Sequence, residues 1–368
     1  MTKTFRVGVI GSTGHGNYGH GLDEVWLHVP QAEIVAVADD DKPGAAAAAK
    51  RLQAPRTYFD YRKMLDEAKP QIVSICPRWL NRHHELVLAC AERGIHVYLE
   101  KPLARTLAEA DEMVAACERA HVKLAVAHQT RYSPKLPVVK ELLASGKIGR
   151  VLEFRGRGKE DARGGGEDLW VLGTHIMDLI RYLGGQPASC FGVVTTAGHP
   201  IGRADVVEGA EGIGPLAGDS VRAMYALPGG SAAYFASQRN AAGRPSRFGL
   251  QIYGSAGVIE VLTGYLPSVK YLADGGWSPG RSRGVWQDVS SAGIGKSEPL
   301  PDGSQLAGNT AAIEDLLAAI EADRQPQSSI YEARAAMEMI VAVFESQRQA
   351  APVRLPLESR ENPLTKLT

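Results

Sequence analysis

The stretch Gly94-Ile95-His96-Val97-Tyr98-Leu99-Glu100-Lys101-Pro102-Leu103 decides how the chain is read. An apolar run, His96 to Leu99, follows a helix-like segment closed by Gly94 and ends in a carboxylate, an ammonium and a rigid proline. A short apolar run bounded in this way reads as a buried strand. In α/β sheets, ligands bind outside the C-terminal ends of such strands. Taken alone, Glu100-Lys101 also fits an exposed ion pair before a loop, worth about 0–1 kcal/mol. The surrounding sequence has to choose between the two.

On the N-terminal side, helical and strand patterns alternate. Strands are expected at Phe5–Ile10, 33–38, 71–76 and His96–Leu99, and again at 123–127. Helices are expected around 23–29, after Pro43-Gly44, and at 61–68, 85–93 and 107–120. This alternation means βαβ crossovers and a parallel sheet. The first strand runs into Gly11-Ser12-Thr13-Gly14-His15-Gly16-Asn17-Tyr18-Gly19-His20-Gly21. Glycines at that point let the backbone turn sharply and approach a pyrophosphate, with the next helix N-terminus supplying N–H donors. The literal GxGxxG of Gly14, Gly16 and Gly19 starts beyond the strand end, so an enlarged loop with Gly11 making the first turn is expected, and Gly11, Ser12, Thr13 and Gly14 are the candidate cofactor contacts. The alternative is a flexible surface loop.

The second strand ends in Asp39-Asp40-Asp41. An acid there can accept from both adenosine ribose hydroxyls and repels a 2′-phosphate, which favours NAD over NADP and points to Asp39. Asp39 lies 28 residues after Gly11, farther than the usual ~20, as a lengthened first loop requires. The loop Pro77-Arg78-Trp79-Leu80-Asn81-Arg82-His83-His84 leaves another strand end and should border the same crevice.

With 368 residues the chain exceeds one typical core, so two domains are expected. Forty-one basic residues balance 41 acidic ones, which gives no support to nucleic-acid or membrane-surface binding. The four cysteines have no CxxC spacing and sit in apolar contexts, reading as reduced core thiols with no metal site. The start, Met-Thr-Lys-Thr-Phe-Arg, leads directly into a short strand, unlike a signal peptide, and no span of ~20 apolar residues occurs. A cytoplasmic protein is the default expectation.

The third-loop proline with its downstream histidine, then Gly94-Ile95-His96-Val97 and Glu100-Lys101-Pro102-Leu103, resembles the glucose-fructose oxidoreductase/inositol dehydrogenase (Gfo/Idh/MocA) family of sugar and polyol dehydrogenases. The resemblance runs nearly the full length, to the Pro352–Leu357 ending. It implies a Rossmann dinucleotide-binding domain over 1–127 and, over 128–368, an α+β substrate domain with an open, mostly antiparallel sheet. The last helices would pack back on the first domain, and the free face of the sheet would build a homo-oligomer. It further implies that Lys101 lies beside the nicotinamide, that the bond before Pro102 is cis, and that Pro77, His83 and Glu100 line the cofactor.

From residue 151 onward, runs of strand-like segments with turns such as Pro228-Gly229-Gly230 read as an antiparallel sheet. One amphipathic helix, Asp168 to Leu183, interrupts them, with Leu172, Ile176, Leu179, Ile180 and Leu183 on one stripe. His175 and Asp178 lie three apart on an adjoining face, where they can interact. Beside an apolar stripe, His175 is as readily a structural residue as a functional one. Gly173-Thr174-His175-Ile176-Met177-Asp178 resembles the family's second signature, which implies that His175 faces Lys101 across the cofactor as proton acceptor. The family usually has Asp four residues before this His, whereas here Val171 occupies that place. Either Asp168 or the acidic loop 159–167 supplies the carboxylate, or His175 works untuned on a different substrate.

Asp178, Asp168, Arg157 and Arg131 are the candidate substrate contacts. Arg155, Arg157, Lys159 and Arg163 add positive charge that would suit an anionic substrate. The stretches 198–218 and 273–303 read as long loops that could cover a substrate. Three functions follow: an NAD-dependent dehydrogenase acting on a secondary alcohol of a sugar or polyol; an NAD-retaining enzyme that cleaves glycosides by transient oxidation; or a dinucleotide-binding sensor that has lost its chemistry.

Overall fold

The computed structural model describes residues 4–368. Met1-Thr2-Lys3, the start of the segment read as unlike a signal peptide, lie outside the described residues. The chain forms two compact units. The first takes the residues up to Gln129 together with Gly209–Gly214 and Gln305–Arg334; the second takes Thr130–Glu208, Pro215–Ser304 and Ala335–Thr368.

Six parallel strands make the sheet of the first unit: β1 (Phe5–Ile10), β2 (Ala32–Ala38), β3 (Thr57–Tyr58), β4 (Ile72–Ile75), β5 (His96–Leu99) and β6 (Leu124–Val126). Their order is β3-β2-β1-β4-β5-β6. Helices cover such a sheet on both faces, which is why β4 is buried at every position. Chain direction across the sheet reverses between β1 and β4, the switch point where α/β proteins bind ligands. Capping side chains fix the starts of three helices. Asp41 accepts from Gly44 N for α1 (Lys42–Arg51), Asp60 from Arg62 N for α2 (Tyr61–Ala68), and Thr106 from Glu109 N for α4 (Leu107–Arg119). The remaining helix of this part, α3 (His83–Ala91), follows the loop after β4.

The expected helix after β1 is not an α-helix. Residues Gly19–Gly21 and Glu24–His28 form two 3-10 turns. With Gly19 and Gly21 flanking His20, Pro30 closing the segment and bulky Val25, Trp26 and Leu27 between, too few residues remain to offset the cost of nucleating an α-helix.

The second unit contains an eleven-stranded sheet. Its strands are β7 (Val151–Arg157), β8 (Ser189–Thr196), the short β9 (His199–Pro200), β12 (Ser220–Ala226), β13 (Ala232–Gln238), β14 (Gly249–Gly254), β15 (Val258–Leu262), β16 (Val269–Leu272), β17 (Gln287–Ser290), β18 (Gly293–Ile294) and β19 (Val353–Arg354). Every pairing is antiparallel except β7 with β13. The supposed loop 198–218 holds β9 and two more strands that pair with each other, β10 (Val207–Gly209) and β11 (Gly214–Leu216). The stretch 273–303 holds β17 and β18.

Strand alternation buries one face of this sheet: Phe154, Tyr225, Phe235 and Ile252 point into the core. After α5 (Lys135–Ala144), two helices lie where one was expected, α6 (Gly166–Val171) and α7 (Gly173–Gly184), broken at Leu172. The start of α7 is packed closely on the sheet. The ring of Phe235 approaches Gly173 so closely that a Cβ there would stand 3.2 Å from it, and Ile176 of α7 fills the place a side chain at Gly156 of β7 would need.

Candidate functional site

Loops from the C-terminal ends of β1, β2, β4 and β5 meet in the first unit. Gly11 N donates to Ala38 O at 3.0 Å, and Ser12 pairs with Asn17, so the enlarged loop curls into a small hairpin. The Tyr18 ring lies against Gly11, leaving no room there for a side chain. At Gly16 a Cβ would stand 2.6 Å from the backbone nitrogens of Arg78 and Trp79, so only glycine lets this loop approach the one after β4. The rings of His15 and Trp79 meet edge-on at 5.2 Å.

Asp39 directly follows β2 and is 2% exposed. Its carboxylate accepts from Thr13 N (3.1 Å), Thr13 Oγ1 (2.7 Å) and Asp41 N (3.0 Å). It therefore fastens the hairpin tip to β2 as well as placing negative charge at the strand end. Burial and the neighbouring Asp39 push the Tyr18 hydroxyl far above the usual phenol range.

His83 does not reach the crevice as an open side chain. It is fully buried, with Nε2 2.7 Å from Pro77 O and Nδ1 2.9 Å from Pro102 O, and so ties the β4 loop to the β5 loop. Burial lowers its pKa, against the opposing pull of those carbonyls and of Glu100.

The Lys101–Pro102 bond is cis. Glu100 is wholly buried and Lys101 is 7% exposed, which excludes the exposed ion pair the sequence alone allowed. Glu100 Oε1 lies 2.7 Å from His20 Nδ1 and 3.8 Å from Lys101 Nζ. Its other oxygen, Oε2, has no hydrogen-bond partner among the described residues. Burial alone would raise this carboxyl's pKa. The hydrogen bond from His20 and the electrostatic pull of His20, Lys101 and His83 outweigh it and hold the group below its usual range.

A dinucleotide fits these residues. Glycines stand where backbone must come close, an acid follows β2, and the hydroxyl of Ser12 and Oε2 of Glu100 are buried polar atoms lacking partners among the described residues. Such orphans are rare unless a ligand or water completes them. Among the described residues no group of His, Cys, Asp or Glu could hold a metal ion.

In the second unit His175 is half-buried on α7, its ring edge-on to Phe248 at 6.4 Å. Asp178 is engaged by Arg131, whose Nε lies 3.0 Å from both carboxylate oxygens and whose Nη2 lies 2.5 Å from Oδ1. Both are buried, and the guanidinium stacks on Tyr182 at 4.7 Å. Asp168 accepts from Lys159 N, Glu160 N and Ser237 Oγ, anchoring the acidic loop; burial raises its pKa against those bonds. Val171 is buried in α6.

Each of the four cations anticipated here meets an acid of its own region. Arg155 meets Glu153 (2.7 Å), Arg157 meets Glu160 (2.5 Å), and Lys159 and Arg163 share Asp161 (3.5 and 2.8 Å). These ion pairs weaken the reading of an anionic substrate from these four cations. Their acids lie close in sequence, but only the folded loop shows the pairing.

Sequence reasoning passed over His20 and Asn309. Asn309 is fully buried in the helix Gln305–Glu321; its Nδ2 donates to His20 O (3.0 Å), and its Oδ1 accepts from Tyr98 Oη (2.9 Å) and Gln129 Nε2 (2.7 Å). A histidine between two glycines was the one available signal for His20. For Asn309 there was none.

Known proteins bear on this geometry. The family model GFO_IDH_MocA, an oxidoreductase family with an NAD-binding Rossmann fold, matches residues 5–128, and the GFO/IDH/MocA C-terminal domain matches residues 138–260. Levoglucosan dehydrogenase of Pseudarthrobacter phenanthrenivorans is 31% identical over 256 residues, 63% of this chain and 65% of that protein. Myo-inositol 2-dehydrogenase of Thermotoga maritima is 28% identical over 188 residues, 49% of this chain and 55% of that one. The matched part thus spans between 55% and 65% of the length of these relatives. A solved structure of levoglucosan dehydrogenase in complex with NADH and levoglucosan shares the fold, with TM-score 0.78 at 23% identity over 96% of this chain and 100% of that one. Both family domains are matched in chain order, each on the kind of sheet that fold carries, and the chain belongs to the Gfo/Idh/MocA family of oxidoreductases.

Proposed function

We propose that the protein is an NAD-dependent dehydrogenase that oxidises a secondary alcohol of a sugar, inositol or related polyol. The observation that carries this reading is the buried Glu100-Lys101 pair at the end of β5, an ammonium held beside an incompletely satisfied carboxylate at the C-terminal edge of a Rossmann sheet, one strand beyond its switch point. The relatives that act on levoglucosan and myo-inositol support the substrate class.

NAD supplies the hydride acceptor. Lys101 holds the substrate's hydroxyl oxygen and stabilises the negative charge that develops there as the carbinol carbon is oxidised. His175 accepts the hydroxyl proton. Ser12, Thr13 and Gly14, with Gly11 behind them, face the phosphates, and Asp39 serves the adenosine ribose and disfavours NADP. Asp178 and Arg131 support the substrate side by holding each other.

Assay with NAD and a panel of anhydrosugars, aldoses and inositols tests the reading. Formation of NADH with at least one of them is expected. Product released without net NADH would favour glycoside cleavage by transient oxidation, and no turnover at all would favour the sensor.

The same reading includes a homo-oligomer built through the second sheet. Phe191, Met224 and Tyr234 are exposed in cross-strand register on β8, β12 and β13, a row of large apolar side chains on the face opposite the core. It also includes a cytoplasmic location, in keeping with four buried, unbridged cysteines. No helix among the described residues is long and apolar enough to cross a membrane.

A further inference from the structure

We infer that His20 is a positioning residue for Lys101, acting through Glu100; the inference rests on the dehydrogenase reading. A carboxylate oxygen only accepts, so at 2.7 Å His20 Nδ1 must donate to Oε1 of Glu100. Lys101 Nζ reaches the same oxygen at 3.8 Å, an ion-pair distance longer than a hydrogen bond. Glu100 thus leans on His20 and acts on Lys101 through its charge. Without the imidazole, a wholly buried carboxylate would be drawn onto the ammonium and would pull it off the position that serves substrate.

The backbone is built to present this ring. His20 has φ +51°, a left-handed conformation, between two glycines. Its carbonyl is pinned by buried Asn309, which also binds Tyr98 of β5, two residues before Glu100. The ring is about one-third exposed, so one edge faces outward while Nδ1 stays inside. The other groups that act electrostatically on Glu100 are Lys101 and His83. Arg78, whose stem passes Gly19, pairs with Glu211 at 3.9 Å.

His20→Ala removes the donor. His20→Asn keeps a donor close to the position of Nδ1 and tolerates the left-handed backbone. In the active enzyme, His20→Ala is expected to lower kcat about ten- to hundredfold while the Kd for NAD stays within about twofold, and His20→Asn is expected to recover most of the loss. In cofactor-free protein carrying 15N-labelled histidine, the Nδ1–H proton of His20 should resonate far downfield and move in Glu100→Gln. If His20→Ala fails to fold, His20→Asp, which sets a carboxylate against Glu100, should lower kcat at least as far. An active wild type whose kcat is untouched by His20→Ala or His20→Asp, or a ring proton unmoved in Glu100→Gln, overturns this inference alone. A wild type that forms no NADH with any alcohol overturns the dehydrogenase reading and takes the inference with it.

Discussion

Glu100 in the first unit and Asp178 in the second are both buried carboxylates beside a cation, and they are held in opposite ways. Asp178 receives three contacts within 3.0 Å from one guanidinium stacked on Tyr182, a closed arrangement. Glu100 meets its lysine only at 3.8 Å, shares that oxygen with His20, and leaves its second oxygen without a partner among the described residues. Burying a charge is costly unless it is fully bonded. The closed pair reads as scaffold, and the open pair reads as a site waiting for a ligand group. Asp168 belongs with Asp178, since backbone and Ser237 donors take up both of its oxygens.

The largest effect that could break this contrast lies in the closed pair. Arg131→Met takes the guanidinium away from buried Asp178 and should cost about 3–5 kcal/mol of stability, read as a lower urea midpoint. Wild-type stability with a raised KM for the sugar would instead make the pair a direct substrate contact. Next comes Asp39. If its charge excludes a 2′-phosphate, wild type prefers NAD, and Asp39→Ser should narrow the NAD/NADP ratio of kcat/KM by about tenfold, an effect near 1.4 kcal/mol. A wild-type preference for NADP would contradict that role.

The smallest expected effect concerns Asp161, which Arg163 holds down to about 2 from 3.8. A depressed carboxyl contributes stability that is fully present above its unfolded value and is lost as pH falls through the folded one. Asp161→Asn should therefore flatten the stability curve between about pH 4 and pH 2 and change little at neutral pH. An unaltered acid limb would show that this partly exposed pair contributes nothing.

Much of the architecture was legible because it depends on local pattern. Runs such as Ile72-Val73-Ser74-Ile75 are buried on both faces and read as parallel strands without any knowledge of their neighbours. Lys101 was legible as a strand-end residue. What escaped depended on distance along the chain. His20 meets Glu100 across 80 residues, and Asn309 reaches the His20 carbonyl across 289, contacts that no spacing rule encodes. Arg131 and Asp178, 47 apart, each looked available to substrate until the fold paired them. The break at Leu172 escaped because the apolar stripe continues through it.

The central claim is that Lys101 touches the reacting oxygen. The direct measurement is single-turnover formation of NADH by Lys101→Ala, saturated with NAD and given the best alcohol of the panel, beside the Kd for NAD by titration. The account predicts a fall of about 10²–10³-fold in rate with NAD affinity within about twofold of wild type. A wild-type rate in that variant would contradict it.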